Sequence, residues 1–333
     1  MLRRKLLLIL AIGLVLLGLS AGSMAYFTSE ATTQTNQISA GTMYIGSEND
    51  ERGVLEQPVA LADLVPGEPE TVTVKVKNLG TMPTYLRGIS AAIVEANEMF
   101  IANTLHTKCM YEGNTLFEGS LLALDGNIVP FAQPVKLEPE EIVELELEIG
   151  LDIRVGNWYK GKSIDYTIIV HAFQEPDQEI GGCTLIADTS NYQEVIDTAQ
   201  PGDVILLAAG DYGELKLNVP ITLKAKDVVY DVAVDKIEIG EKLSSETAEN
   251  PIRIQGMTLN KDGTSYAVKI QTSKNLVISD DIIFAKGNAI IVSDEKAVLV
   301  TRNDLTGVHN LSNKSPEAFY NLGLDLDPAE HAL

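Results

Sequence analysis

Two adjacent carboxylates, Asp280 and Asp281, are the residues of this 333-residue chain best suited to catalysis, and Arg302 follows Asp280 by 22 positions. Polysaccharide lyases and hydrolases need clustered carboxylates, often with calcium, beside a basic residue. A structural role competes with this one, because Asn303 follows Asp281 at the same interval and a repeated Asp or Asn caps turn amides. We favour the structural role. Asp280, Asp281 and Arg302 are therefore weak candidates for glycan or calcium contact, and we expect no catalytic residue.

A metal centre is difficult to build from the histidines of this chain. None of the four belongs to an H-E-x-x-H pair, in which two imidazoles on one helix face bind zinc. His171 alternates with Val170 and Ala172, a pattern typical of a strand, where a structural histidine is the favoured interpretation. Zinc peptidase chemistry is therefore disfavoured, and we expect no metal and no cofactor apart from weak calcium binding. The four histidines are His106, His171, His309 and His331.

The composition excludes several classes of protein. The chain has 47 acidic and 25 basic residues, a net charge of −22 and a pI of about 4.5, so we expect no binding to nucleic-acid phosphates. The acidic run at 138–141 and the glutamates of Ile142–Ile149 could bind calcium weakly. The latter alternate with aliphatic residues, which favours a solvated strand face. Two cysteines, Cys109 and Cys183, exclude a disulfide-stapled scaffold, and the sequence leaves open whether they pair.

Residues 1–25 have the three parts of a secretory signal peptide. Three basic residues precede an apolar run from Leu6 to Gly22, and Ser23-Met24-Ala25 places small residues at the third and first positions before a cut. Cleavage after Ala25 leaves Tyr26 as the first residue and changes the net charge to −22 − 3 = −25. An uncleaved anchor is the alternative, since the apolar run is near the lower length limit for spanning a bilayer. We favour cleavage and secretion, with membrane contact ending at the cut.

Residues 26–175 consist of short alternating segments separated by Pro, Gly and Asn. Apolar and polar residues alternate in Thr71–Lys77, Ile142–Ile149 and Ser163–Ala172. Such alternation marks half-buried antiparallel strands, and the turn residues between them predict an all-β sandwich. Ser90–Leu105 is the one stretch of this half that we predict to be helical.

The second half of the chain contains a repeat with a period of 22 residues. Short strands rich in β-branched residues at such a period predict stacked coils that bury their aliphatic side chains against one another. We place a polar linker at 176–183, a short parallel β-helix at 184–309, and a cap or acidic tail at 310–333. The repeat aligns Ala267–Ile270 with Ala289–Val292 and Leu276–Ser279 with Val298–Thr301, with a third copy at Ile252–Gly256.

The first half, about residues 1–175, resembles the TasA/camelysin family of exported fibre and biofilm-matrix proteins. Four segments carry the resemblance in the family's order, behind the signal peptide: Ala25–Thr28 with Ile38–Met43, Leu61–Glu68, Val72–Gly80, and Trp158–Ile164. The resemblance implies a jelly-roll sandwich and processing by a signal peptidase of the SipW type. Camelysins have been classed as metallopeptidases, an activity that the histidines of this chain do not favour.

Residues 184–307 resemble the start of a right-handed parallel β-helix of the pectate-lyase kind. A short amphipathic helix is predicted at Tyr192–Ala199 and ends at Pro201-Gly202. The turn at Ala209–Glu214 and the strand at Pro220–Leu223 continue the likeness. This resemblance indicates a fold and gives little information about an activity.

These observations favour a secreted structural protein of the cell surface or biofilm matrix that polymerises head to tail, with the β-helix as a projecting or glycan-contacting module. In TasA-like fibres the N-terminal segment freed by cleavage is inserted into the sheet of the next subunit, and matrix polysaccharide is a further candidate partner. Three alternatives stay open: a carbohydrate-active enzyme, an adhesin that does not polymerise, and an N-terminal segment that folds onto its own sandwich. The candidate donor-strand residues are Tyr26, Phe27, Ile38, Met43 and Tyr44.

Overall fold

The computed structural model describes most of the chain between residues 28 and 319. The predicted signal peptide at 1–25, the predicted cleavage site and the tail beyond 319 lie outside the described residues. Among the described residues, no helix has the length and apolar character needed to cross a membrane. The described residues are 28–30, 45–47, 64–93, 101–155, 159, 164, 166–177, 180, 184–240, 251–263, 266–270, 275–292, 297–301, 303–312 and 317–319.

The protein is all-β, and its first half contains two antiparallel sheets. The strands are β1 (Thr28–Glu30), β2 (Ile45–Ser47), β3 (Glu70–Asn78), β4 (Thr84–Ile93), β5 (Leu105–Tyr111), β6 (Asn114–Ser120), β7 (Val129–Leu137), β8 (Ile142–Leu151) and β9 (Tyr166–Phe173), with one-turn helices α1 (Ile101–Thr104) and α2 (Leu121–Leu124). One sheet has the order β1-β9-β4-β7 and the other β2-β3-β8-β5-β6.

Both sheets contribute aliphatic residues to one core, so they pack face to face as a sandwich. The strands predicted from alternation are present as β3, β8 and β9. Along β8 the burial alternates as the sequence indicates: Leu145 and Leu147 are buried, whereas Glu144 is exposed and lies 3.4 Å from Lys75 of β3. The acidic stripe of β8 is therefore a solvated strand face.

The helix predicted for Ser90–Leu105 is wrong over its described part, apart from one turn. Ser90 lies within β4, which extends to Ile93 and pairs antiparallel with β9. Within the described part of that stretch, helix is confined to Ile101–Thr104. Neighbouring strands override local helix propensity here, because Ile89 and Ala91 fill the sandwich core while their backbone pairs in the sheet.

The second half is a parallel β-solenoid of about four turns. Its strands are β10 (Thr184–Ala187), β11 (Val204–Leu207), β12 (Gly210–Leu217), β13 (Thr222–Ala225), β14 (Val232–Ile239), β15 (Ile252–Gln255), β16 (Thr258–Leu259), β17 (Val268–Ile270), β18 (Asn275–Ser279), β19 (Ile282–Val292), β20 (Ala297–Thr301), β21 (Asp304–Ser312) and β22 (Glu317–Phe319). One sheet has the order β10-β11-β13-β15-β18-β20-β22, and the second contains β12, β14, β16, β19, β17 and β21. Helix α3 (Tyr192–Thr198) lies at the first coil, where it was predicted.

The 22-residue repeat is the register of the later solenoid coils. Val268 pairs with Ile290 and Leu276 with Val298, each at the predicted offset of 22. The side chains of Val268, Ile270 and Ile290 are fully buried in the solenoid core, as the stacked-coil prediction requires. The third copy, Ile252–Gln255, forms β15 and pairs in parallel with β18 of the next coil.

The outer face of the first solenoid sheet packs against the sandwich. Leu206 of β11 is fully buried and belongs to the sandwich core rather than the solenoid core. Gly256, at the turn after β15, has a φ of 78°, and a Cβ there would lie 2.6 Å from Cδ2 of Leu122 in α2. The close approach of α2 therefore requires glycine at position 256.

Polar contacts extend the junction between the halves. The backbone N–H of Ser120 donates to the carbonyl of Lys226 at 2.7 Å, and that of Val229 donates to the carbonyl of Asn103 at 3.0 Å. Arg154 donates to Asp231 at 2.7 Å. The solenoid is therefore fixed against the sandwich by packing and hydrogen bonds as well as by the chain between β9 and β10.

Candidate functional site at the edge of the smaller sandwich sheet

Strand β1 forms one edge of the β1-β9-β4-β7 sheet and is short. It pairs antiparallel with β9 through Thr28↔Phe173, Ser29↔Ala172 and Glu30↔His171. These are three of the eight residues of β9, whereas β4 pairs with β9 from end to end. Within the described residues, the outer edge of β9 is therefore covered by three residues of the N-terminal segment. An edge of this kind pairs readily with a strand from another chain.

The residues of β9 that face β1 are rigidly held. Ala172 and Phe173 are fully buried, and the guanidinium carbon of Arg87 lies 5.6 Å from the centroid of the Phe173 ring. His171 is buried, and its Nε2 lies 2.7 Å from Oγ of Ser90. Both contacts come from β4, which pairs with β9 along its whole length and so holds these residues from the side opposite β1.

The Ser90–His171 pair is structural. Burial lowers the pKa of His171 to about 4, so the imidazole is neutral at pH 7. Both side chains lie within a pleated sheet, and the described residues contain no group of three His, Cys, Asp or Glu side chains that could hold a metal ion. His171 therefore lies on a strand, buried and hydrogen-bonded, where the sequence placed it. His106, also described, lies 3.3 Å from Glu118 at the surface.

The N-terminal segment is anchored in both sheets. Thr28–Glu30 lies beside β9, and Ile45–Ser47 pairs with β3 of the other sheet. For these six residues, the chain folds onto its own sandwich, which is one of the alternatives raised by the sequence. The five candidate donor-strand residues, Tyr26, Phe27, Ile38, Met43 and Tyr44, lie outside the described residues.

Asp280 and Asp281 do not form an open carboxylate pair. Asp280 is 4% exposed and Asp281 is fully buried. Asp281 accepts a hydrogen bond from the backbone N–H of Met257 at 2.8 Å, while Asn303 of the next coil accepts one from the backbone N–H of Asp281 at 2.9 Å. The side chains of Asp281 and Asn303 therefore cap turn amides, as the structural interpretation predicts. Arg302 lies outside the described residues.

Burial gives Asp281 unusual electrostatics. Desolvation raises its pKa well above the ordinary 3.8, the nearby carboxylate of Asp280 adds to the rise, and the hydrogen bond from Met257 opposes it. Its Oδ2 atom has no hydrogen-bond partner in the structure. With so little of Asp280 or Asp281 reaching the surface, this pair offers no contact surface to a soluble glycan.

Lys224 is a buried lysine whose burial the sequence does not reveal. It follows the alternation of β13, yet its side chain is buried between the halves, where Nζ donates to the carbonyl of Asp125 at 2.9 Å and to Oδ1 of Asn127 at 3.3 Å. Burial lowers the pKa of Lys224 to about 8. No sequence signal could have identified it, because the surface that covers it comes from the other half of the chain.

Cys109 is a free thiol within the sandwich core. Burial raises its pKa to about 12, so the reactive thiolate is not populated at pH 7. Cys183 lies outside the described residues, and Cys109 forms no disulfide in the structure.

No protein-family model matches the chain, and no curated protein matches it. Among solved structures, a chain from the structure of the infectious bursal disease virus Gt strain is 12% identical, with a TM-score of 0.22. That match covers 42% of this chain and 33% of the viral one. At this TM-score the likeness carries no argument about function, so the assignment depends on the residues and contacts described above.

Proposed function

We propose that this chain is a secreted structural protein of the cell surface or biofilm matrix, which polymerises by exchange of its N-terminal strand. In this proposal the sandwich has jelly-roll topology, the solenoid is a right-handed β-helix, and a signal peptidase of the SipW type cuts after Ala25. The observation that carries the proposal is the outer edge of β9, which pairs with a three-residue strand next to the predicted new N-terminus, while β4 pairs with the whole of its other edge.

In strand exchange, the β1–β9 pairing that forms within the monomer forms between two subunits instead. In the monomer, Thr28–Glu30 occupies the edge of its own β9. In the polymer, Thr28–Glu30 of one subunit pairs with β9 of a second subunit. The β9 edge of the first subunit then pairs with Thr28–Glu30 of a third. The exchanged contacts are identical, so the cost of opening the monomer is recovered at each junction. Because the contact is head to tail and does not close, it produces an open filament.

Cleavage controls the timing of assembly in this proposal. Before the cut, residues 1–25 hold the N-terminal segment at the membrane, and the donor strand is not free to reach another subunit. After the cut, Tyr26 becomes the end of the segment that carries β1. The solenoid, fixed to the sandwich through Leu206 and the contacts of α2, is then carried at a constant orientation along the filament.

Deleting residues 26–37 from the mature protein tests the proposal. The deletion removes β1 and leaves β2, β3 and the rest of the larger sheet intact. We expect negative-stain electron microscopy to show filaments of the intact mature protein and folded monomers of the deleted one. Filaments that persist after the deletion would overturn the proposal. Loss of the sandwich fold on deletion would instead show that the segment serves its own subunit, and monomers of the intact protein would favour the adhesin alternative.

A further inference from the structure

The outer face of the second solenoid sheet carries a strip of charged and aromatic side chains, which we call the β12-β14-β17 strip. Glu214 and Lys216 lie on β12, Lys236 and Glu238 on β14, and Lys269 on β17. The strands are in parallel register, with Glu214 opposite Lys236, Lys216 opposite Glu238, and Glu238 opposite Lys269. Cations and anions therefore alternate both along and across three consecutive rungs.

The side chains of the strip are tied to one another. Lys216 lies 3.4 Å from Glu214, and Lys269 lies 3.4 Å from Glu238. The hydroxyl of Tyr266 donates to Glu238 at 2.6 Å. The ammonium group of Lys236 lies 5.7 Å from the centroid of the Tyr266 ring. These contacts hold the polar groups in place while leaving them at or near the surface.

A depression of about 380 Å³ lies where the strip meets α3. Gln193 of α3 forms one wall of the depression. Its Nε2 donates to the carbonyl of Lys216, and its Oε1 accepts from the backbone N–H of Lys216, each at 3.2 Å. Tyr192 stands beside it, held edge-on against Tyr212 with ring centroids 5.3 Å apart. The depression is lined by Tyr192, Gln193, Asp197, Glu214, Lys216 and Asn218.

This combination suits a hydroxyl-rich ligand. Carboxylates accept from sugar hydroxyls, ammonium and amide groups donate to them, and a tyrosine ring offers a flat apolar face to a sugar ring. Over the strip and the depression together, Lys216, Lys236 and Lys269 balance Asp197, Glu214 and Glu238, so this surface attracts no strongly charged polymer. Nucleic acid is disfavoured for the same reason.

We propose that the β12-β14-β17 strip binds an extended, hydroxyl-rich polysaccharide of low net charge, with Tyr192 and Tyr266 at its two ends. The rungs of the solenoid repeat about every 4.8 Å, so a polysaccharide laid across them meets alternating donors and acceptors at regular intervals. This inference names a ligand for the proposed matrix protein. It rests on the proposed function only in assuming that the protein is located in a polysaccharide-containing matrix.

Affinity electrophoresis of the mature protein through gels containing hydroxyethylcellulose, dextran or polygalacturonate tests the proposal. We expect retardation by a neutral polymer and about tenfold weaker binding for Tyr192→Ala and for Tyr266→Ala, since each loses a stacking ring. Tyr266→Phe keeps the ring and should retain most of the binding. Lys136→Ala removes an exposed cation of the sandwich and serves as the control, with no expected effect.

Several outcomes would overturn the proposal. These are the absence of retardation in all three gels, retardation by polygalacturonate alone, and binding that is unchanged in both alanine variants. Circular dichroism of each variant verifies folding. Measuring the same samples without residues 26–37 separates glycan binding from polymerisation, because the strip lies entirely within the solenoid. A monomer that still binds would retain this proposal even if the filament proposal fails.

Discussion

Replacing Asp281 by Asn should stabilise the solenoid and remove part of its pH dependence. The side-chain oxygen of Asn can still accept the hydrogen bond from the N–H of Met257, as Asn303 does one coil later for Asp281 itself. The neutral amide avoids burying an ionisable carboxyl group whose pKa is raised well above 3.8. The substitution therefore keeps the cap and removes the charge.

The sign and size follow from proton linkage. A carboxyl group with a raised folded-state pKa contributes most to stability below its unfolded value near 3.8, and that contribution is lost as the pH rises toward the folded value. The loss is about 1.4 kcal/mol per pH unit within that window. The advantage of Asp281→Asn over the wild type should thus grow with pH. Asp281→Ala, which abolishes the cap, should instead cost about 1–3 kcal/mol.

Urea denaturation followed by far-ultraviolet circular dichroism at several pH values between 4 and 8 measures these differences. The variant with alanine serves as the matched control, because it removes the same carboxylate without replacing the hydrogen bond. Parallel stability curves for the wild type and Asp281→Asn would refute the linkage argument. An Asn variant as unstable as the Ala variant would refute the capping role.

Three further predictions concern the core, the processing site and acid stability. Ile290→Asp should destabilise the solenoid by several kcal/mol, roughly 3–5, by burying an unpaired charge, whereas Ile290→Val should cost about 0.5–1.5 kcal/mol. An unchanged melting curve for Ile290→Asp would contradict the register with Val268. Edman sequencing of secreted protein should begin at Tyr26, and a blocked or lipid-modified Met1 would indicate a tethered protein. Because burial depresses the pKa of His171 to about 4, the sandwich should lose stability as the pH falls from 6.5 toward 4, and His171→Gln should flatten that loss. Equal acid sensitivity of the two proteins would contradict that assignment.

Periodicity in the sequence predicted those strands that are buried by neighbouring strands of the same half of the chain. The alternation of Ile142–Ile149 identified β8, and the 22-residue offset gave the pairing of Val268 with Ile290 and of Asp281 with Asn303. In a solenoid each coil contacts the next, so a repeat in sequence becomes a register in space. The capping role of Asp281 was accessible for the same reason.

Contacts between distant segments were not accessible from the sequence. Lys224 and Leu206 occupy outward positions of solenoid strands, and the sequence gives no sign that the sandwich covers them. Ser90 was assigned to a helix because local propensity does not include the pairing of β4 with β9. The β12-β14-β17 strip was likewise missed, since its lysines and glutamates come together through strand register rather than through sequence spacing.

Strand exchange between subunits is measured most directly with a cysteine pair. Ser29 and Ala172 are cross-strand partners, and antiparallel partners have Cα atoms at distances that a disulfide can bridge. The variant Ser29→Cys/Ala172→Cys is assembled, oxidised and run on a non-reducing denaturing gel, with Ser29→Cys alone as the control for links to Cys109 or Cys183. Exchange predicts a ladder of covalent multimers that collapses on reduction. A protein that is crosslinked entirely within the monomer, or not crosslinked at all, would contradict polymerisation through β1.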